Sequence, residues 1–228
     1  MNLLSKLKGE TGKEYAYRVL KDNIMSLELK PGQYLSETEL ASKLEISRTP
    51  IREILMKLKE EHLIDVKPQI GTYVSLIDKS LIEEAYFMRF VLEKEVLKLA
   101  CSNFPESKLF ELEKNLLSQK SVYGKGHHEI LFHHLDNQFH EVIYSGVKMD
   151  EVWNGILKIS THYNRVRLLS EIKASNMQVI EQHEQIVNII KKGDSTPISN
   201  IIDLHLKAPK DFLYDSIYAD PQFKDYFK

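Results

Sequence analysis

The stretch Ser36-Glu37-Thr38-Glu39-Leu40-Ala41-Ser42-Lys43-Leu44-Glu45-Ile46-Ser47-Arg48-Thr49-Pro50-Ile51-Arg52-Glu53 decides the fold of the first third of the chain. Ser36 followed three residues later by Glu39 has the form of a capping box, and it opens a short apolar pattern at Leu40, Ala41 and Leu44. After only Glu45-Ile46, Ser47 stands where a second helix can be capped. Pro50 is tolerated in its first turn, where backbone N–H groups lack partners anyway. Ile51, Ile54, Leu55 and Leu58 then recur on one helical face. Two short helices joined by so brief a turn predict a helix-turn-helix.

Working outward, residues 11–27 carry Tyr15, Val19, Ile24 and Leu27 at helical spacing, and Lys30-Pro31-Gly32 stops that helix. On the other side, the β-prone runs 63–66 and 72–75 bracket Pro68-Gln69-Ile70-Gly71 and predict a small hairpin, a wing. From residue 80 helical periodicity dominates, with helices predicted at 80–100, 106–121, 127–145, 149–170, 174–192 and 196–214. At 228 residues the chain suits two domains. The expected division is a winged helix-turn-helix over 1–78 and an all-α antiparallel helical bundle over 79–228. The fold class is mainly α. The aromatic stretch 214–228, broken by Pro221, reads as an ordered tail.

Composition narrows the function classes. With 43% hydrophobic and 28% charged residues the chain can bury a core. The single cysteine, Cys101, cannot form an internal disulfide and fits a reducing compartment. No apolar run approaches the roughly 20 residues of a membrane span and no secretory leader is evident, so the expected location is the cytoplasm. The net charge of −2 offers no global attraction to nucleic acid, and the first 78 residues balance 12 Lys and Arg against 12 Asp and Glu. Any DNA contact must therefore come from a local basic face.

That face is legible at the start of the second helix of the pair. Arginine there can donate two hydrogen bonds to guanine in the major groove, and short hydroxyls can reach phosphates or bases. Ser47, Arg48, Thr49 and Arg52 are the candidates, with Arg48 and Arg52 four apart on one face. Lys67 adds a wing contact to phosphate, and Gly71 lets the hairpin approach the backbone closely. The run 31–41, the run 44–53, Leu58 and Gly71-Thr72-Tyr73-Val74 together resemble the GntR winged-helix domain over about residues 13–76. That resemblance implies operator contacts by Arg48, Thr49 and Arg52 and puts Gly71 at the wing tip. Three departures stand out: Thr38 where some relatives have an arginine, His62 where glycine is usual, and Gln69 at a wing position that is often basic.

Eight of the nine histidines follow residue 79, which points to separate chemistry in the second domain. Asp136 and His140 are stacked neighbours on one predicted helix, on or beside a buried stripe of Phe132, Leu135, Phe139 and Ile143. His183 sits on a stripe of Ile180, Val187 and Ile190, and His205 shares a face with Ile198, Ile201 and Phe212. A lone histidine on an apolar face is ordinarily a hydrogen-bonded core residue. Three of them with an aspartate call for a common partner, since each buried polar group left alone costs about 1–3 kcal/mol. A divalent transition metal (zinc, nickel, manganese or iron) suits three imidazoles and a carboxylate better than calcium does. His127, His128, His133 and His134 read as surface or near-surface residues, His133 standing close enough to support the cluster.

Glu84 through Glu93, the run Leu135-Asp136-Asn137-Gln138-Phe139-His140, and the isolated His183 and His205 resemble the FCD effector domain of the FadR subfamily. In that family an aspartate and three histidines hold a metal inside the bundle. Arg89 and Arg167 are candidate anchors for a carboxylate effector, because a guanidinium grips that group bidentately. A surface or interhelical salt bridge is the competing reading for each, and Arg165 can stand in for Arg167. The function expected is a homodimeric regulator, more a repressor than an activator, on a palindromic double-stranded DNA operator, controlled by a small carboxylate effector near the metal. Two alternatives are a metal-dependent hydrolase using the same His₃Asp site, and a metal-free domain that binds a fatty acyl chain.

Overall fold

A computed structural model describes residues 1–125, 128–173, 177–207 and 216–228. His127 and Phe212, both named from the sequence, lie outside the described residues. The chain divides into two compact units, Met1–Ser80 with Ala219–Lys228, and Leu81–Tyr218.

The first unit holds α1 (Gly12–Met25), β1 (Tyr34–Leu35), α2 (Glu37–Lys43), α3 (Arg48–Glu60), β2 (Ile64–Lys67) and β3 (Gly71–Val74). Thr11 and Glu14 close a reciprocal capping box on α1, and the Ser36 side chain accepts from the Glu39 backbone N–H at α2. Ser47 occupies the N-cap of α3 but its side chain makes no capping bond. The buried face of α3 (Ile51, Ile54, Leu55, Leu58) packs into one core with Ala16, Val19, Leu20 and Ile24 of α1. The sheet order is β1-β3-β2, all antiparallel, with Tyr34 opposite Tyr73 and Lys67 opposite Gly71. β1 was not foreseen, because a two-residue strand has no periodicity to read.

Two local features explain residues the sequence left odd. Gly71 closes the hairpin at the base of the 68–70 tip, and a Cβ there would lie 2.6 Å from the Tyr34 ring. Its smallness serves the packing of β1 on β3. His62 has φ +57, the left-handed region. Its N–H bonds the Lys59 carbonyl at 3.0 Å, and the next N–H, of Leu63, bonds that of Leu58 at 2.9 Å. This is a Schellman exit from α3, where glycine avoids the Cβ cost.

The final residues belong to this unit, whereas the sequence reading kept all of 79–228 in one domain. Ile77 and Phe227 form a parallel bridge, with the Ile77 N–H on the Tyr226 carbonyl at 2.7 Å and the Lys228 N–H on the Ile77 carbonyl at 3.1 Å. Phe223 and Phe227 are buried, and Lys228 pairs with Asp78 at 2.7 Å.

The second unit is helical: α4 (Lys79–Ser102, entering from the first unit), α5 (Glu106–Val122), α6 (Glu129–Gly146), α7 (Asp150–Ile159), α8 (Thr161–Lys173), α9 (Met177–Lys192) and α10 (Ile198–Ile202). α10 runs into a π-helical turn over Asp203–Lys207. The expected single helix 149–170 is two, α7 and α8, meeting at the buried Ser160. Ser160 N–H still bonds Ile156 and its carbonyl accepts from Asn164, so the apolar spacing carries through the break and hides it. The core collects Val96, Leu97, Leu112, Phe139, Ile143, Trp153, Ile186 and Ile190. Among the described residues no helix is long and apolar enough to cross a membrane.

Replacing His62 by glycine relieves a left-handed L-residue costing about 1–2 kcal/mol against a loss of about 0.5–1 kcal/mol in chain entropy. The expected net gain slows hydrogen exchange of the buried α3 amides about 2- to 5-fold under native conditions. Unchanged or faster exchange contradicts the strain.

Candidate functional site

Four side chains foreseen from the sequence meet in the second unit. α6 contributes Asp136 and His140, α9 contributes His183, and the π turn contributes His205; all four are buried, and one ligand atom of each lies within 4.8 Å of every other.

What aims these atoms is a set of bonds on the far side of each ring. His183 Nδ1 lies 2.9 Å from Gln119 Oε1, His205 Nδ1 lies 3.0 Å from Gln182 Oε1, and His140 Nδ1 lies 3.2 Å from Glu93 Oε2. Each partner is an acceptor, so each Nδ1 carries the proton and donates it. For His183 the direction is fixed further back. Asn115 Nδ2 donates to the Leu135 carbonyl at 3.0 Å, Asn115 Oδ1 therefore accepts from Gln119 Nε2 at 2.7 Å, and Gln119 is left presenting Oε1 to the imidazole.

Three unprotonated Nε2 atoms consequently face inward. His205 Nε2 is 3.1 Å from His140 Nε2, and His183 Nε2, which makes no hydrogen bond, is 3.5 Å from Asp136 Oδ1. Burial holds the His183 and His205 imidazoles well below their ordinary pKa and lowers that of His140, so the rings are neutral. Two lone pairs pointed at each other across 3.1 Å, with a third nearby and a carboxylate, repel unless a cation lies between them. Three imidazole nitrogens and one carboxylate oxygen fit a divalent transition metal, and the donor set is too nitrogen-rich for calcium or magnesium.

Around this cluster the two candidate arginines have distinct partners. Arg89, buried between the rings of Trp153 and Tyr163 at 6.0 and 5.5 Å, gives its Nε to Glu93 Oε1 at 2.6 Å, while its Nη2 has no hydrogen-bond partner among the described residues. Arg167 donates Nη2 to Asp136 Oδ2 and Nη1 to Asn137 and Asn164 at 3.0 and 3.2 Å. Arg165, the alternative, is fully buried. His133, expected at or near the surface, is buried, with its Nδ1 3.4 Å from Glu171. His134 is exposed and His128 half-buried.

Glu93, Gln119 and Gln182 were not singled out as site residues. For Glu93 a signal existed, four residues after Arg89 on one helix face and inside the Arg89–Glu93 run. For the glutamines none did.

In the first unit Ser47, Arg48, Thr49 and Arg52 are all exposed at the N-terminal end of α3. Glu37, on the first turn of α2, accepts from Arg52 Nε at 2.8 Å and lies 3.4 Å from Arg48 Nη2. The arginines, Arg52 first, lower its pKa. The side chains of Arg48 and Arg52 remain 57% and 61% exposed, so the shared ion pair orders them without hiding them. Lys67 is exposed, its ammonium 5.0 Å from the Tyr73 ring centroid. Exposed Ile70, not Gly71, stands at the tip.

Two family models match this chain: the gntR family of bacterial regulatory proteins over residues 13–74, and the FCD domain over 84–208. The HTH-type transcriptional repressor RspR of Escherichia coli (strain K12) is 30% identical over 192 residues, 84% of each chain. An HTH-type transcriptional regulator in an unstable DNA locus of Streptomyces ambofaciens is 30% identical over 207 residues, 90% of this chain and 86% of the relative. Among solved structures, E. coli McbR/YncC superposes with a TM-score of 0.77 at 23% identity, over 91% of this chain and 99% of the other. A GntR regulator from Rhodococcus sp. RHA1 gives 0.74 at 17%, over 90% and 98%. These matches do not favour the hydrolase reading of the His₃Asp cluster. The chain belongs to the GntR family of bacterial regulatory proteins and is a transcriptional regulator with an FCD effector domain, not an enzyme.

Proposed function

We propose that this protein is a cytoplasmic, homodimeric repressor that grips a palindromic operator with two copies of α3 and loosens that grip when a small organic acid binds beside a divalent transition metal in the helical unit. Asp136, His140, His183 and His205 hold the ion. The observation that carries this reading is the convergence of three unprotonated imidazole nitrogens and one carboxylate, each ring locked from behind. When bound, the ion supplies a Lewis-acidic point of attachment for a carboxylate oxygen. Zinc, nickel, manganese and iron are all compatible with the donor set.

Charge supports an anionic effector. Around the cluster the buried Arg89 and Arg167 are cancelled by Glu93 and Asp136, and burial pushes the Glu171 carboxyl up to about 8, leaving it mostly neutral at pH 7. A divalent ion adds two positive charges to this interior, and uncompensated buried charge is strongly unfavourable. An acid of two carboxylates restores neutrality, and one of a single carboxylate halves the excess. A fatty acyl chain does not, and would lay methylenes against polar groups.

For DNA, exposed Arg48 and Arg52 on one face of α3 support base-edge contacts, with Ser47 and Thr49 beside them and Lys67 and Gly71 serving the wing. The relatives named above are transcriptional regulators, and RspR is a repressor. Two wings and two recognition helices related by a twofold axis match a palindrome.

Three measurements test these assignments. The double variant Arg48→Ala/Arg52→Ala is expected to lose about 1–3 kcal/mol of discrimination per arginine on a duplex enriched from random sequence, with unchanged circular dichroism. Retention of full sequence-specific affinity removes α3 as the reading element. Elemental analysis of protein purified without chelators is expected to find about one transition-metal ion per chain, and His183→Ala to lose most of it. Equal metal content in the variant rules the cluster out.

Stability of the chelator-treated protein is expected to peak near pH 6.5. Burial lowers the pKa of His133, His140, His183 and His205, so below about 6.5 the unfolded chain takes up protons that the folded one refuses, and stability falls with pH. Glu171 acts oppositely: its raised pKa means the folded chain keeps a proton between about 4.5 and 8 that the unfolded one releases, so stability falls as pH rises through that range. Four imidazoles outweigh one carboxyl below 6.5, and Glu171 alone governs above it. A melting temperature that rises steadily from pH 6.5 to 5.5 contradicts neutral buried imidazoles.

A further inference from the structure

We infer that Glu93 is a positioning residue through which Arg89 reaches the metal ligand His140, so that anion capture by Arg89 and metal retention at the His₃Asp cluster are coupled. The inference rests on the metal reading proposed above. Of the three rings, two are held by neutral amides, Gln119 and Gln182, and only His140 is held by a carboxylate. A carboxylate accepting from Nδ1–H makes the opposite nitrogen a stronger donor than an amide does.

Glu93 divides its two oxygens between the two neighbours. Oε1 takes Arg89 Nε at 2.6 Å and Oε2 takes His140 Nδ1 at 3.2 Å, with the glutamate itself buried. The Arg89 bond is the shorter, so the guanidinium draws charge away from the imidazole. Arg89 has donor capacity left over, since its buried Nη2 makes no hydrogen bond among the described residues. An anion taken up by that group shares the guanidinium with Glu93. The carboxylate is then less neutralised by Arg89 and accepts more strongly from His140, which strengthens the metal bond at Nε2. By linkage the metal strengthens anion binding by the same factor. Trp153, the only tryptophan, lies 6.0 Å from both the Arg89 guanidinium and the His140 ring centroid, so its fluorescence reports on the pair.

The test is zinc affinity by competition with a chelating dye, with Trp153 emission followed in parallel, for wild type, Glu93→Gln and Arg89→Met/Glu93→Gln. Glu93→Gln alone strands a buried arginine and can lose stability for that reason, so the double variant, which removes both charges at similar volume, carries the decision. A weakening of about 10-fold in the double variant is expected, the low end of the effect of altering a ligand's hydrogen-bond partner, because glutamine keeps an acceptor for Nδ1–H but not its charge. Excess acetate is expected to tighten zinc in wild type and to have a smaller effect in the double variant. Wild-type zinc affinity in the double variant overturns the positioning role, and an equal acetate effect in both proteins overturns the coupling. Zinc binding that is absent in wild type, or indifferent to His183→Ala, fails the metal reading instead.

Discussion

Protonation of three imidazoles at Nδ1 is the constraint from which the rest of the helical unit follows. A neutral histidine has one donor and one acceptor nitrogen, and whichever atom meets an acceptor decides which nitrogen is left bare. Here the acceptors stand on α4, α5 and α9, all outside the cluster. Their effect is to bare three lone pairs in the buried interior of the helical unit. The anchor chain through Gln119 and Asn115 ends on a helix backbone carbonyl, that of Leu135, one residue before Asp136. The orientation of His183 is thus tied to the helix that supplies two of the other donors. Rigid support of this kind is what lets a site built from three separate segments keep its geometry.

Arginine shows how burial decides role. Arg48 and Arg52 share Glu37 at a surface where an ion pair contributes about 0–1 kcal/mol, so the pair costs little to break. Glu37 keeps the two guanidinium groups ordered and side by side in the meantime. Arg89 and Arg167 have partners of the same type but lie in the interior, where separating a pair leaves an uncompensated charge. Those two are therefore fixed in the helical interior by their carboxylate partners.

The sequence made the architecture legible wherever a periodic or capping signal existed. The N-cap at Ser36, the turn at Glu45-Ile46 and the apolar face of α3 all had local causes and the structure follows them, although of the capping box only the bond from Glu39 N–H to the Ser36 side chain is present. So did the inward direction of Asp136, His140, His183 and His205, since a helix face is a matter of spacing. What stayed hidden had no local cause. The break at Ser160 preserves both hydrogen bonds and apolar spacing. β1 is two residues paired with a partner almost forty positions away. Gln119 and Gln182 are ordinary polar residues until a ring nitrogen is placed against them. His62 was legible as a departure from a family glycine, but its left-handed backbone needed coordinates to see.

The geometry also separates two arginines that the sequence treated as equivalent. Both oxygens of Asp136 are engaged, Oδ2 by Arg167 and Oδ1 facing His183. If Oδ1 serves a metal, Oδ2 can keep Arg167, whose other amino group is already held by Asn137 and Asn164. Both amino groups of Arg167 are then engaged, and a cation so placed favours the ionised form of the aspartate. Arg89 is the reverse case, a buried guanidinium with one amino group that makes no hydrogen bond among the described residues and with the rings of Trp153 and Tyr163 beside it. A donor left over in a dry interior costs about 1–3 kcal/mol until something accepts from it. On the function proposed above, a carboxylate gains most at Arg89, on the side of the cluster where Glu93 and His140 stand.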